Sequence, residues 1–538
     1  MSIFDGFSKI FNQKNQLKIS LFVLNFFLAL TLIFLGNAKI LPLDAGNFVF
    51  FFSLFLAFSL FRPGWFFLLF SGMIMFENVS LSPAEFGFFL RPYQFLGFLI
   101  ILALTIRSFS GRLNFKFPKI SWVDRLVVAI SFFGFFAILN APDKMLSLKL
   151  AIVFVSFSVL YFLTRYYLQT FSDIKKIIPF FLASSLIDAF YGIWQSFRFQ
   201  NGMEGFEVME ERINLTFMEP DWAGIFLVVL ATVFLALQYL YFNFARADFF
   251  PKFQEEEKWK MFSFKNNFFF VFWGLVFSFM AIFLTVSRSA WLAIFVVIFF
   301  FLFILLTNLN FRAWHWKFFS KNFFFTLSAG FLALGLIYIF NLTDFELKDR
   351  LQSVGTGKQK ITVSCRSKIE TDLTIGDVSD LEKMNCRHID LEDISAQKST
   401  GFFVTEVYRD DPNVKTRNEI YQKSWKEIKK HYLLGIGWGS IGKILGKDLQ
   451  GNFFNSSNIF LEVWLSAGIV GFLSLVFLFF YIFWKALKKY YFSQNFSEKA
   501  FFLFCILSWF AIFVFNFFNA GIFLGFFWFW LAIVQIKD

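Results

Sequence analysis

The sequence predicts an all-α polytopic membrane protein of about 12–14 transmembrane helices with one large mixed loop domain on the outer side. Three observations carry this. The 538-residue chain is 57% hydrophobic and only 16% charged, against roughly a quarter charged in soluble domains. Its mean hydropathy is +0.61. The charge is missing from many separate apolar segments whose lengths suit a hydrocarbon core of roughly 30 Å.

The apolar segments fall at 17–36, 46–61, 64–77, 92–107, 122–139, 147–168, 175–196, 220–242, 266–285, 288–307, 322–341, 457–484, 500–517 and 519–536. The second, third and fourth are short for a span, so the count could fall to about twelve. The first is too long for a signal peptide and lacks a small-residue cleavage site, so it reads as a retained anchor. Ahead of it, Phe4, Phe7, Ile10 and Phe11 share one helical face, which suits a short helix on the inner leaflet. The 95 phenylalanines read as codon bias filling lipid-facing positions, since Phe and Leu are similarly acceptable there.

Orientation follows from Lys and Arg in the short loops. Lys9, Lys14 and Lys18 put the N-terminus inside. Strict alternation then puts four basic clusters inside: Arg107, Arg112, Lys116 and Lys119; Lys175 and Lys176; Arg312, Lys317 and Lys321; Lys485, Lys488 and Lys489. It puts the acidic loop with Glu204, Glu207, Glu210, Glu211 and Glu219 outside, and leaves the C-terminus inside. The net charge of +12 is thereby accounted for by topology, which argues against nucleic acid as a partner.

The chain divides into an N-terminal transmembrane bundle at 1–341, an extracytoplasmic loop domain at 342–456 and C-terminal transmembrane helices at 457–538. The middle segment has soluble composition and is too long for a structureless loop. Lys360-Ile361-Thr362-Val363 alternates as a strand does. Over 414–434, Ile420, Trp425, Ile428 and Tyr432 recur at helical spacing. Cys365 and Cys386 lie in this domain, where a disulfide is chemically permitted; two free thiols are the alternative. Cys505, in an apolar span, reads as packing.

Three stretches at the outer boundary could carry chemistry. In Ser287-Arg288-Ser289-Ala290-Trp291-Leu292, Arg288 sits between two apolar helices. It is either a snorkelling interfacial residue or a fixed cation for phosphate, whose oxygens the guanidinium fork can grip bidentately. Arg212 precedes Phe217-Met218-Glu219-Pro220-Asp221-Trp222, where Pro220 and Asp221 are also ordinary helix-start residues. The third runs from Leu433-Leu434-Gly435-Ile436-Gly437-Trp438-Gly439 through Asn455-Ser456-Ser457-Asn458-Ile459-Phe460-Leu461-Glu462 to Gly468 and Gly471. Its glycines lack the βαβ context of a nucleotide loop, and Gly468 and Gly471 suit close helix packing. No ligand-spaced His or Cys cluster is present.

Taken in order, these stretches resemble the O-antigen ligase and O-antigen polymerase superfamily of bacterial envelope glycan assembly. Ser287 to Leu292 matches the family's Ser-Arg-Gly-like turn before an apolar helix. Arg417, Trp425 and Leu433 to Gly439 are similar to its Arg-x-x-x-Trp and Pro-Leu-Leu-Gly-Val-Gly-x-Gly segments, with a wider gap and with Tyr432 in place of the Pro. Asn458, Leu461, Gly468 and Gly471 fall on its His-Asn-x-x-Leu and Gly-x-x-Gly spacing. The family's His, proposed as a base in ligases, is Ser457 here, which fits a polymerase-like member better than a strict ligase.

The resemblance implies transfer of a glycan from undecaprenyl diphosphate to an acceptor hydroxyl on the outer face of the bacterial cytoplasmic membrane; with so activated a phosphate donor, neither a cofactor nor a catalytic metal is expected. It implies Arg288 and Arg212 as a diphosphate clamp, with Glu462, Glu219 or Asp221 as base candidates. Arg417, Asn458 and Ser287 are candidate substrate-binding residues. The expected partners are the lipid-linked glycan, the bilayer and polysaccharide-assembly proteins. A ligase or protein-glycosylating relative is the nearest alternative. A transporter or flippase would make more of Asp188, the main intramembrane carboxylate; a scaffold without chemistry is the remaining option.

Overall fold

The computed structural model describes residues 13–113, 117–203, 212–244, 268–309, 314–343, 358–367, 373–376, 380–389, 394–410, 412–446 and 454–536. The short helix expected at 4–11, and Glu204, Glu207, Glu210 and Glu211, lie outside the described residues.

Backbone polar groups in hydrocarbon must pair within the chain, which favours helices. Each apolar segment accordingly holds one. They are α1 (Gln13–Asn37), α2 (Ala45–Phe61), α3 (Pro63–Gly72), α4 (Pro92–Phe109), α5 (Trp122–Phe136), α6 (Lys144–Tyr167), α7 (Phe171–Gln200), α8 (Pro220–Phe244), α9 (Phe268–Leu284), α10 (Arg288–Thr307) and α11 (Trp316–Ile339). Among the described residues, ten helices are long and apolar enough to cross a membrane. The most enclosed is α8, where residues 223–231 are all buried. It has no polar face to turn outward, as expected of a helix surrounded by others. It packs against α9, α10 and α17, the last defined below.

Between α11 and the last helices lies a four-stranded sheet of β1 (Lys358–Cys365), β2 (Thr374–Ile375), β3 (Cys386–His388) and β4 (Phe403–Asp410), in the order β2-β4-β1-β3. The alternation at 360–363 falls in β1. Its register places Cys365 opposite Cys386, and the two form a disulfide. Short helices α12 (Asp380–Lys383) and α13 (Ile394–Ser399) flank the strands. Next come the amphipathic α14 (Pro412–Lys430) and the short α15 (Ser440–Leu445). Ile420 and Ile428 of α14 are buried, whereas Trp425 is exposed.

The chain ends with α16 (Ile459–Phe492), α17 (Phe496–Asn516) and α18 (Gly525–Ile533). Side-chain contacts sort the loops to two ends of the bundle. At one end Arg107 donates to Leu60 O at 3.0 Å, Arg165 pairs with Asp124 at 3.2 Å and Tyr490 donates to Asn308 at 3.2 Å. At the other, which carries the sheet segment, Asn140 donates to Gly435 O at 3.4 Å and Lys443 pairs with Asp143. The Asp143 carboxyl is held below its usual range by the Leu146 amide and by Lys443.

Two apolar segments are less helical than their composition suggests. Within 64–77 the helix stops at Gly72, and within 519–536 a single 3-10 turn at Gly521–Phe523 precedes an α-helix that begins only at Gly525. Non-helical backbone at such depth is tolerated where protein surrounds it. Met73 to Phe76 and Ala520 to Ile522 are indeed buried.

The helix α16 is kinked at Gly468, with φ at 66°. A Cβ there would lie 2.0 Å from Leu433 O, and one on Gly435 would lie 2.4 Å from Leu465 O. The two glycines therefore let backbone meet backbone. Ile436 N donates to Leu465 O at 2.6 Å and Ile469 N to Tyr432 O at 2.9 Å. Gly468→Ala is expected to destabilise the protein by at least about 1–3 kcal/mol from backbone strain alone. Gly330→Ala, with open space around it, should stay within about 0.5 kcal/mol. Thermal unfolding in detergent checks both.

Candidate active site

Arg212 lies just before α8 and reaches across to the turn between α9 and α10. Its Nε donates to Thr285 O at 3.0 Å, and the Ile213 amide donates to Leu284 O at 3.3 Å. Its Nη2 pairs with Asp221 Oδ1 at 3.1 Å, both side chains being partly exposed. Asp221 thus anchors the guanidinium. Its neighbour Glu219 is exposed, with its carbonyl accepting the Ala223 amide at the start of α8.

Three residues beyond Thr285, Arg288 opens α10 and is partly exposed. A cation opposes the helix dipole at this position, so helix stability does not explain its placement. Ser287 is fully buried; its hydroxyl caps α10 by accepting the Ala290 amide. It organises the turn from within. A Cβ on Gly224 would come 2.7 Å from that of Ala290, so α8 and α10 cross closely here.

Asn458 caps α16, its Oδ1 accepting the amides of Phe460 at 2.9 Å and Leu461 at 3.1 Å. Its Nδ2 donates to Phe517 O at 3.1 Å. Glu462 is turned inward and buried. Its Oε2 accepts the Ser456 hydroxyl at 2.6 Å and the Ser456 amide at 3.1 Å. Ser457, at the position of the family's His, is held at φ 48°.

The two groups of candidates meet at a turn that sequence reasoning missed, residues 516–521. Asn519 Nδ2 donates to Ser289 Oγ at 3.1 Å. Phe517 O accepts Asn458 and, at 3.4 Å, the Tyr421 hydroxyl. Arg417 lies over the Phe518 ring, its Cζ 5.8 Å from the centroid. Burial raises the Tyr421 phenol, with Arg417 pulling it down less strongly, so it stays a proton donor near neutral pH. The turn is itself tied by Gly521 N donating to Asn516 Oδ1 at 2.8 Å. The available signal was Asn516, Asn519 and Gly521 punctuating an apolar run.

A groove of about 750 Å³ runs from this junction along α16. Tyr421 and Asn458 line its polar part; Trp464, Phe472, Val476 and Phe513 line the apolar part.

Residues 273–476 match the O-antigen ligase family. The resemblance to the O-antigen ligase and polymerase superfamily holds over this span. No curated protein and no solved structure matches the chain. The match supports glycosyl transfer of the O-antigen ligase and polymerase type by a multi-pass membrane protein. It contains Ser287, Arg288, Arg417, Asn458 and Glu462. Arg212, Glu219, Asp221 and the 516–521 turn lie outside it, yet the fold ties Arg212 and the turn to the segment that bears Arg288.

Asn519→Ala is expected to lower glycan transfer about tenfold through misplacement of the turn. The loss of stability should be only about 1 kcal/mol. Transfer assays and thermal unfolding of the same preparation test this; unchanged transfer would remove the turn from the site.

Proposed function

We propose that this protein polymerises surface-polysaccharide repeat units, moving glycan from an undecaprenyl diphosphate carrier to the hydroxyl of an acceptor glycan. On this reading the reaction takes place at the end of the bundle that carries the sheet, facing outward from the cytoplasmic membrane. The observation that carries the reading is the convergence of Arg212 on the turn that begins α10 with Arg288.

In this transfer the acceptor oxygen bonds to the anomeric carbon, and the bond from that carbon to the diphosphate oxygen breaks. The electron pair leaves with undecaprenyl diphosphate, whose charge grows in the transition state. Fixed guanidinium groups lower that barrier because they need no reorganisation. Asp221 keeps Arg212 oriented. The acceptor proton must go to a base. Glu219 fits best because it is the exposed one of the three carboxylates, Glu462 being buried and Asp221 only partly exposed. The groove along α16 suits the isoprenoid part of a lipid-linked substrate, with Asn458 and Tyr421 at its polar part.

Ser457 favours polymerase, because a serine hydroxyl is a poor base near neutral pH. The family description favours a ligase as the second reading.

Arg288→Ala should reduce transfer at least about 100-fold while leaving the protein in the membrane, and Arg288→Lys should restore part of it. Size analysis of carrier-linked and surface glycans separates the readings. Single repeat units alone after loss of the protein support polymerase. Full-length polymer accumulating on the carrier supports ligase. Full activity of a well-expressed Arg288→Ala variant would overturn the clamp.

A further inference from the structure

Glu77 lies in the non-helical stretch after α3, and its side chain is 1% exposed. Its Oε1 accepts the Gly525 amide at 2.6 Å. Its Oε2 accepts the Tyr93 hydroxyl at 2.8 Å and pairs with Arg91 Nε at 2.7 Å. The Arg91 Nε also donates to Glu77 O at 3.1 Å. One buried carboxylate thus joins the start of α4 to the start of α18.

The same residue holds a third segment through its backbone. The amides of Glu77 and Asn78 both donate to Thr216 O, at 3.0 and 2.7 Å. Thr216 Oγ1 returns a bond to Met75 O at 3.1 Å. Leu215 is held from α7 by Gln195, which accepts its amide at 2.9 Å and donates to its carbonyl at 3.2 Å. Asp188, fully buried in α7, faces Thr216 without a hydrogen bond of normal geometry.

These contacts close a ring around the site. Thr216 follows Arg212 by four residues, and Gly525 follows Asn519 by six. Arg212 reaches Thr285 O and Asn519 reaches Ser289 Oγ. From Glu77 the path runs through 216 and 212 to the 285–289 turn, then through 519 and 525 back to Glu77. The ring needs close approach at one more point. A Cβ on Gly525 would lie 2.3 Å from the Tyr93 ring.

We propose that Glu77, with Arg91 and Tyr93, is a positioning residue that fixes the Arg212 segment and the Asn519 turn against the turn that begins α10. A buried ion pair is weak evidence for stability, since apolar replacements are often neutral or better. Fixing three chain segments in one register gives it a purpose that apolar packing does not serve as well. The functional part rests on the glycosyl-transfer reading; the structural part does not.

The test uses the full-length protein in lipid nanodiscs, comparing wild type, Glu77→Gln and Tyr93→Phe. Glu77→Gln keeps the shape and removes the charge. Tyr93→Phe removes one of the bonds to Glu77 and keeps both charges. The first readout is amide hydrogen exchange, which needs no glycan. Glu77→Gln should speed exchange in both 212–219 and 516–525, leaving the sheet at 358–410 unchanged. The second is steady-state transfer. A fall in kcat of about tenfold or more with KM within about threefold is expected, and a smaller change of the same kind in Tyr93→Phe.

Exchange confined to 73–93, or kcat within twofold of wild type in a folded Glu77→Gln variant, overturns the proposal. If Glu77→Gln does not fold, Tyr93→Phe decides on the same readouts, and wild-type exchange in both segments overturns it. A wild-type protein without transfer activity refutes the glycosyl-transfer reading; exchange alone then decides the register role.

Discussion

Backbone groups removed from water must find partners inside the chain, and the site is built where this protein breaks its helices. Gly468 interrupts α16 at φ 66°. The kink lets Leu465 O accept the Ile436 amide and Ile469 N donate to Tyr432 O, so the loop after α14 docks directly on a membrane helix. Neither contact forms if a side chain stands at 435 or 468. Trp438 then inserts into the bundle, stacked on Phe154 with centroids 4.4 Å apart. It lies where Gly134 leaves no room for a Cβ. The glycine-rich motif reads from this geometry as a joint. It brings α14, with Arg417 and Tyr421, over the start of α16.

A second break, at 516–524, serves the opposite side. A continuous α17 would carry Asn519 away along the helix axis. Ending it at Asn516 turns Asn519 toward Ser289 and exposes Phe517 O to Asn458 and Tyr421. The third break, after Gly72, brings Glu77 to Gly525 and Thr216. Each break replaces helical hydrogen bonds with long-range ones, and the three together surround the segments that bear Arg212 and Arg288.

The helices were legible in the sequence because length and apolarity alone decide them. β1 was legible from alternation at 360–363, and α14 from Ile420 and Ile428. The breaks were not. Apolar residues fill most of 64–77 and 519–536, and hydrophobic composition does not register where such a run leaves the helix. Glu77 was absorbed into a span for that reason; its carboxylate needs Arg91, Tyr93 and Gly525, which are 14, 16 and 448 residues away. Of the candidate site, Arg212 and Arg288 could be singled out individually because charge at an apolar boundary is costly. Their meeting at Thr285, and the part played by Asn519, depend on pairings no local pattern encodes.

The three candidate carboxylates also looked alike in sequence, and the fold gives them different surroundings. Glu462 is enclosed, with the hydroxyl and amide of Ser456 on one oxygen. Asp221 is bound to the Arg212 guanidinium and is only partly exposed. Glu219 stands exposed two residues away, beside the same Arg212 segment. A base must reach its substrate before its proton affinity matters, and access alone separates these three. On the proposed reading, with Ser457 at the position of the family's His, general-base chemistry falls to Glu219 at the start of α8. The start of α16 keeps the task of capping and holding the 516–521 turn through Asn458.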